Sequence, residues 1–139
     1  MVSDSFHQSQ ELLEEAAIMA QFDSPFIVQL VGLVTLGSPV LMVIEFAEHG
    51  SLKSFLDKNE TDERLRLLWA GDIAEGMAHV HSKGFLHRDL ATRNVLVGSD
   101  MRCKVSDFGL AREVDENDAY YRSRGGQVRW RGARGQERE

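Results

Sequence analysis

The chain has 139 residues, of which 42% are hydrophobic and 27% charged, and a net charge of -6. This is the composition of one soluble globular domain, and the acidic balance excludes a basic nucleic-acid-binding surface as its main activity. A single cysteine, Cys103, excludes an internal disulfide and points to an intracellular chain, and no apolar run nears the roughly 20 residues of a membrane span.

Residues 5–20 predict an amphipathic helix. Leu12, Leu13, Ala16 and Met19 recur at helical spacing, with Gln10, Glu11 and Glu14 on the wetter side. Pro25 ends it. Strand-like runs at 27–36 and 40–46 flank Gly37-Ser38-Pro39, which reads as a hairpin turn. Gly50 breaks the chain, and Ser51 is a suitable N-cap for a short helix bearing Leu52, Phe55 and Leu56. The polar run 57–62 leads to a longer helix over 64–81, whose apolar stripe is Leu65, Leu68, Trp69, Ile73, Met77 and Val80. Trp69 and Gly76 are expected to face further helices. His79 and His81, two apart on that helix, face different ways and do not read as a metal pair. After Gly84, short apolar pieces alternate with polar loops: Phe85-Leu86, Val95-Leu96-Val97 and Cys103-Lys104-Val105. Cys103 reads as a small buried filler. Residues 115–124 are polar and read as an exposed loop with paired tyrosines, and 131–139 as a disordered tail.

Asp89 and Asn94 lie five apart in His87-Arg88-Asp89-Leu90-Ala91-Thr92-Arg93-Asn94, and Asp107-Phe108-Gly109 begins eighteen residues after Asp89. This pattern resembles the protein kinases, whose catalytic loop is H-R-D-L-x-x-x-N and whose metal loop is D-F-G. The spacing has a physical reason. Phosphoryl transfer needs an aligned hydroxyl and neutralised triphosphate charge, so a carboxylate and a carboxamide must come from one short, rigid loop. Magnesium takes hard oxygen ligands and shares them with substrate phosphates, so one Asp and one Asn suffice. Singly, each of these residues reads as solvated surface or a helix cap; together they acquire roles.

The resemblance implies that Asp89 positions the substrate hydroxyl and accepts its proton, while Asn94 and Asp107 bind Mg2+ beside ATP. It implies that Arg88 pairs with a phosphorylated activation-loop residue, and that Leu96 lies under adenine. Arg93, in the catalytic loop, matches the tyrosine-kinase form H-R-D-L-A-A-R-N, with Thr92 in place of an alanine. Ala91 stands where kinases of serine and threonine usually carry lysine. Tyr120-Tyr121-Arg122 resembles an insulin-receptor-like activation loop, and Val128-Arg129-Trp130 the segment after it. The implied partner is therefore a protein substrate with tyrosine. Leu12-Leu13-Glu14-Glu15-Ala16 resembles the regulatory helix, with Glu15 as its glutamate. Ile44-Glu45-Phe46-Ala47 resembles the gatekeeper and hinge, so Glu45 and Ala47 would offer backbone groups to adenine. Met19, Leu30, His87 and Phe108 match the four stacked side chains of the regulatory spine.

The implied fold is α+β, a two-lobed protein-kinase-like fold, incomplete at both ends. Residues 1–130 form a partial protein-tyrosine kinase domain, from regulatory helix to activation segment, and 131–139 a divergent tail. No glycine precedes Gly32, no lysine precedes Lys53, and no Ala-Pro-Glu follows Trp130. The Gly-rich loop and the lysine partner of Glu15 are thus missing from this sequence. The expected activity is ATP- and magnesium-dependent phosphoryl transfer to protein tyrosine in the cytoplasm. This chain alone is expected to be inactive, and a longer parent is open to membrane anchoring. The alternative is a non-catalytic kinase-like binding module.

Overall fold

Helical spacing of Leu12, Ala16 and Met19 builds α1, Val2–Met19, in the computed structural model, which describes residues 2–114. The helix starts three residues earlier than expected, since no Gly or Pro interrupts the run before it. It buries Ala16 and Met19 and leaves Leu13 exposed.

Strands β1, Leu30–Val34, and β2, Leu41–Ile44, pair antiparallel, from Leu30 opposite Ile44 to Val34 opposite Leu41. Both are shorter than the apolar runs predict. For β1 the reason is competition: Val28 N–H donates to Val105 O at 2.9 Å, and Val105 N–H to Phe26 O at 2.8 Å. Residues 26–28 are thereby drawn to a different strand and never join β2.

Helix α2, Leu52–Lys58, begins at Ser51, whose Oγ accepts the Ser54 N–H at 3.1 Å. Helix α3, Glu63–Ser82, is capped by Asp62, which accepts the Leu65 N–H at 2.8 Å. Its orientation corrects the sequence reading. Trp69 is 2% exposed and donates its indole N–H to Met101 O at 2.8 Å. Gly76 lies so close to Phe26 that a Cβ there would meet the Phe26 carbonyl at 2.7 Å. These two residues face inward, and the outward apolar residues are Leu67, 66% exposed, and Leu68.

The remaining strands are short: β3, Phe85–Leu86; β4, Val95–Val97; β5, Cys103–Val105; and β6, Arg112–Glu113. β3 pairs with β6, and β4 with β5 in the register Val95 to Val105 and Val97 to Cys103. One apolar cluster joins Met19, Phe22, Val28, Val80, Val105 and Phe108, and a second joins Leu52, Trp69, Val95, Val97 and Cys103. Burial pushes the Cys103 thiol up to about 12, as fits a packed and unreactive side chain. The mixture of helices and short antiparallel strands is the α+β architecture expected. The two clusters meet at the β4–β5 hairpin, which carries the loops described next. No helix among the described residues is long and apolar enough to cross a membrane.

Candidate active site

The segment between β3 and β4 turns sharply and then forms a single helical turn, Thr92–Asn94. Arg88 has φ 69° and Asp107 φ 64°. Residues with a Cβ rarely adopt that region, and each costs about 1–3 kcal/mol when held there. At Arg88 and Asp107 that strain falls in the two loops that carry the candidate site residues.

What holds these loops is a continuous hydrogen-bond network. His87 is buried, and its Nδ1 accepts the Asp89 N–H at 3.3 Å. A backbone N–H can only donate, so the ring proton sits on Nε2, which donates to Ser106 O at 2.9 Å. Asn94 Nδ2 donates to Asp89 O at 2.9 Å and to Asp89 Oδ2 at 2.8 Å. Both partners are acceptors, which fixes the amide orientation and leaves Asn94 Oδ1 available to a cation. Arg93 Nη2 meets Asp89 Oδ1 at 2.5 Å. The Arg93 bond, aided by the Asn94 bond and opposed by burial, holds the Asp89 carboxyl below its ordinary value. Asp89 is therefore a fixed, ionised acceptor.

Asp107 is exposed beside Glu15. Glu15 Oε1 accepts the Phe108 N–H at 3.0 Å. Desolvation raises the Glu15 carboxyl above its ordinary value; the Phe108 bond opposes this, and the charge of Asp107 adds to it. Asn94 Oδ1 and the Asp107 carboxylate are hard oxygen donors, the set that magnesium takes, so these residues fit the ion the fold family implies. Among the described residues no group of three or more His, Cys, Asp or Glu is arranged as a metal cage. A two-residue protein set leaves coordination positions for phosphate oxygens and water.

The four predicted spine residues gather at one place. Met19 and Phe108 share a cluster, Leu30 packs against it, and the His87 and Phe108 rings lie 4.9 Å apart. Leu96, on β4, packs against the same cluster. The hinge expectation is narrowed. Glu45 N–H donates to Gln29 O at 3.0 Å, while its carboxylate accepts the Gln29 N–H at 2.8 Å and meets Lys104 Nζ at 2.6 Å. Glu45 can thus offer a ligand its carbonyl and not its N–H. Ala47 O accepts the Gly50 N–H at 3.1 Å, so Ala47 has its own N–H to offer. Arg88 is exposed between His87 and Asp89. Tyr120 and Tyr121 lie outside the described residues.

Two residues of this network escaped the sequence reading. Ser106 gives both its N–H and its Oγ–H to Asn94 O, at 2.9 and 3.0 Å. Asp72, 2% exposed, accepts Arg102 Nε at 2.9 Å and the Cys103 N–H at 2.9 Å, anchoring the start of β5 to α3. The signal for Asp72 was legible: an acid between Trp69 and Gly76 on an otherwise inward face demands a partner. For Ser106 no pattern in the sequence gave one.

Much of this sequence is shared with known proteins. A model of the family described as protein tyrosine and serine/threonine kinase matches residues 1–132. Ephrin type-A receptor 5 of Rattus norvegicus is 47% identical over 129 residues, covering 88% of this chain and 13% of the receptor. Ephrin type-A receptor 7 of Gallus gallus is 48% identical over 129 residues, with the same coverage of both chains. Ephrin type-B receptor 3 of Danio rerio is 47% identical over 132 residues, covering 89% of this chain and 26% of that protein. The chain therefore spans only a minor part of the length of the curated relatives it matches.

Proposed function

This chain belongs to the protein tyrosine and serine/threonine kinase family, and from that premise we propose that it is the catalytic-loop and metal-loop segment of a protein-tyrosine kinase. The observation that carries this reading is the network joining Asp89, Asn94 and Ser106, the residue preceding Asp107. It fixes the Asp89 carboxylate and the Asn94 amide, and Asp107 follows Ser106 directly. A hydroxyl-positioning carboxylate and two hard oxygen donors thus lie on adjoining loops, which is the constellation phosphoryl transfer needs.

In the proposed reaction the tyrosine oxygen attacks the terminal phosphorus of ATP. The new O–P bond forms as the bond to the bridging oxygen breaks and ADP leaves. Asp89 orients the hydroxyl and takes its proton as the O–P bond forms; Arg93 and Asn94 keep that carboxylate aimed. Asn94 and Asp107 would hold magnesium, which when bound neutralises charge on the phosphates. The Glu45 carbonyl and Ala47 N–H would meet adenine, with Leu96 beneath it. Met19, Leu30, His87 and Phe108 would form the spine that couples α1 to the metal loop.

Tyrosine as acceptor is supported by Arg93 and by Ala91 in the place of a lysine. Its relatives named as ephrin receptors favour a receptor parent, with this segment on the cytoplasmic side. The chain by itself is proposed to transfer phosphate poorly. All four of its lysines lie among the described residues, and Glu15 bonds to the Phe108 N–H instead of to any of them.

A chimera tests the assignment: residues 2–114 of this chain replace the matching segment of an ephrin receptor kinase domain. With labelled ATP and a mixed Tyr/Ser/Thr peptide pool, phosphoamino-acid analysis should find phosphotyrosine. Label confined to serine or threonine would refute the tyrosine assignment.

A further inference from the structure

Ser106 lies between the end of β5 and Asp107, and its polar groups turn toward the loop that bears Asp89 and Asn94. Its N–H and its Oγ–H both donate to Asn94 O, and its own carbonyl accepts His87 Nε2–H at 2.9 Å. The residue is 8% exposed, so water competes little for these bonds. The register delivers it there. Val95 pairs with Val105 in the antiparallel hairpin, so the next pair outward is Asn94 with Ser106.

Backbone pairing would give the N–H bond to any non-proline residue at this position. The hydroxyl bond belongs to serine. It fills the second lone pair of a carbonyl whose residue also aims its side chain at Asp89. With the Asn94 main chain held by Ser106 and its amide held by Asp89, little freedom remains in where Oδ1 points. Asp107, the next residue after Ser106, starts from the same fixed point.

We infer that the Ser106 hydroxyl is a positioning group that sets the separation of Asn94 Oδ1 and Asp107, an inference that rests on the reading of those two residues as the magnesium pair. A divalent cation with strict octahedral preference is sensitive to that separation. Ser106 acts here through the proton it donates to Asn94 O, as a positioning group and not as a member of the magnesium pair.

The test uses the whole 139-residue chain and Mn2+ alone as the probe, its affinity read from water-proton relaxation, with a thermal melt of every variant. S106A should bind Mn2+ about fivefold more weakly than wild type, the equivalent of one ordinary hydrogen bond. S106T, which keeps the hydroxyl, should restore the wild-type affinity, and S106A should still melt cooperatively, lowered by no more than the one hydrogen bond it loses. Wild-type affinity in S106A overturns the inference, as does an S106T as weak as S106A. D107N separates the two levels. If D107N weakens binding and S106A does not, only the role of Ser106 fails; if D107N binds as wild type does, the metal-pair reading fails and this inference with it.

Discussion

The Glu15 carboxylate accepts the backbone N–H of Phe108 at 3.0 Å, joining residues 93 apart in sequence. The bond ties α1 to the loop that carries Asp107, and it does so with a carboxyl group raised by desolvation. The sign of its pH dependence follows. The folded chain holds this proton to higher pH than the unfolded chain, so stability is greatest below the ordinary value of 4.5 and declines as pH rises through the raised folded value. E15Q keeps an acceptor for Phe108 and removes the titration. Melts of the two proteins from pH 4 to 8 should show wild type losing ground to E15Q above 4.5 and then running parallel. A wild-type advantage that grows with pH would contradict the assignment.

Two glycines of α3 should respond oppositely to alanine. A Cβ at Gly71 meets nothing within 4 Å, while one at Gly76 meets the Phe26 carbonyl at 2.7 Å and Val105 Cγ2 at 3.1 Å. G71A should stabilise by up to about 1 kcal/mol through helix propensity. G76A should destabilise by about 1–3 kcal/mol, because backbone must move. Urea unfolding of both variants measures the difference; equal effects would mean that α3 does not contact residue 26 as described.

Asp72 and Asp57 give a contrast in burial. Asp57 pairs with Lys53 across one exposed helical turn, and D57A should change stability by only a few tenths of a kcal/mol, roughly the worth of such pairs. D72A strips the acceptor from the buried Cys103 N–H and should cost about 1–3 kcal/mol from that group alone. Melting of the two variants side by side decides it. Comparable losses would remove Asp72 from the role of anchor.

Much of this was readable in advance, and the failures have physical causes. The capping of α2 by Ser51 and the extent of α3 followed from local rules, because capping and periodicity act within a few residues. The short strands β4 and β5 appeared where apolar runs stood between polar loops. Ile27 and Val28 were misplaced because their partner is Val105, far along the chain, and an apolar run does not name the strand it will join. Trp69 and Gly76 were turned the wrong way for a similar reason. Periodicity gives the face of a helix but not what covers it. At the site, Asp89, Asn94 and Asp107 were legible as types at a spacing. The bonds through Ser106 were not, because a serine hydroxyl's partner depends on strand register.

The central claim is that Asp89, held by Arg93 and Asn94, serves phosphoryl transfer to tyrosine. The most direct measurement is the initial rate of phosphotyrosine formation by the chimeric kinase domain, with D89N beside it and the 139-residue chain alone as a third sample. General-base and positioning groups contribute typically about 10²–10⁴-fold to rate, so D89N should fall by at least about a hundredfold. The chain alone should stay near background. A chimera whose rate is unchanged by D89N, or an isolated chain that phosphorylates tyrosine at the chimera's rate, would contradict the account.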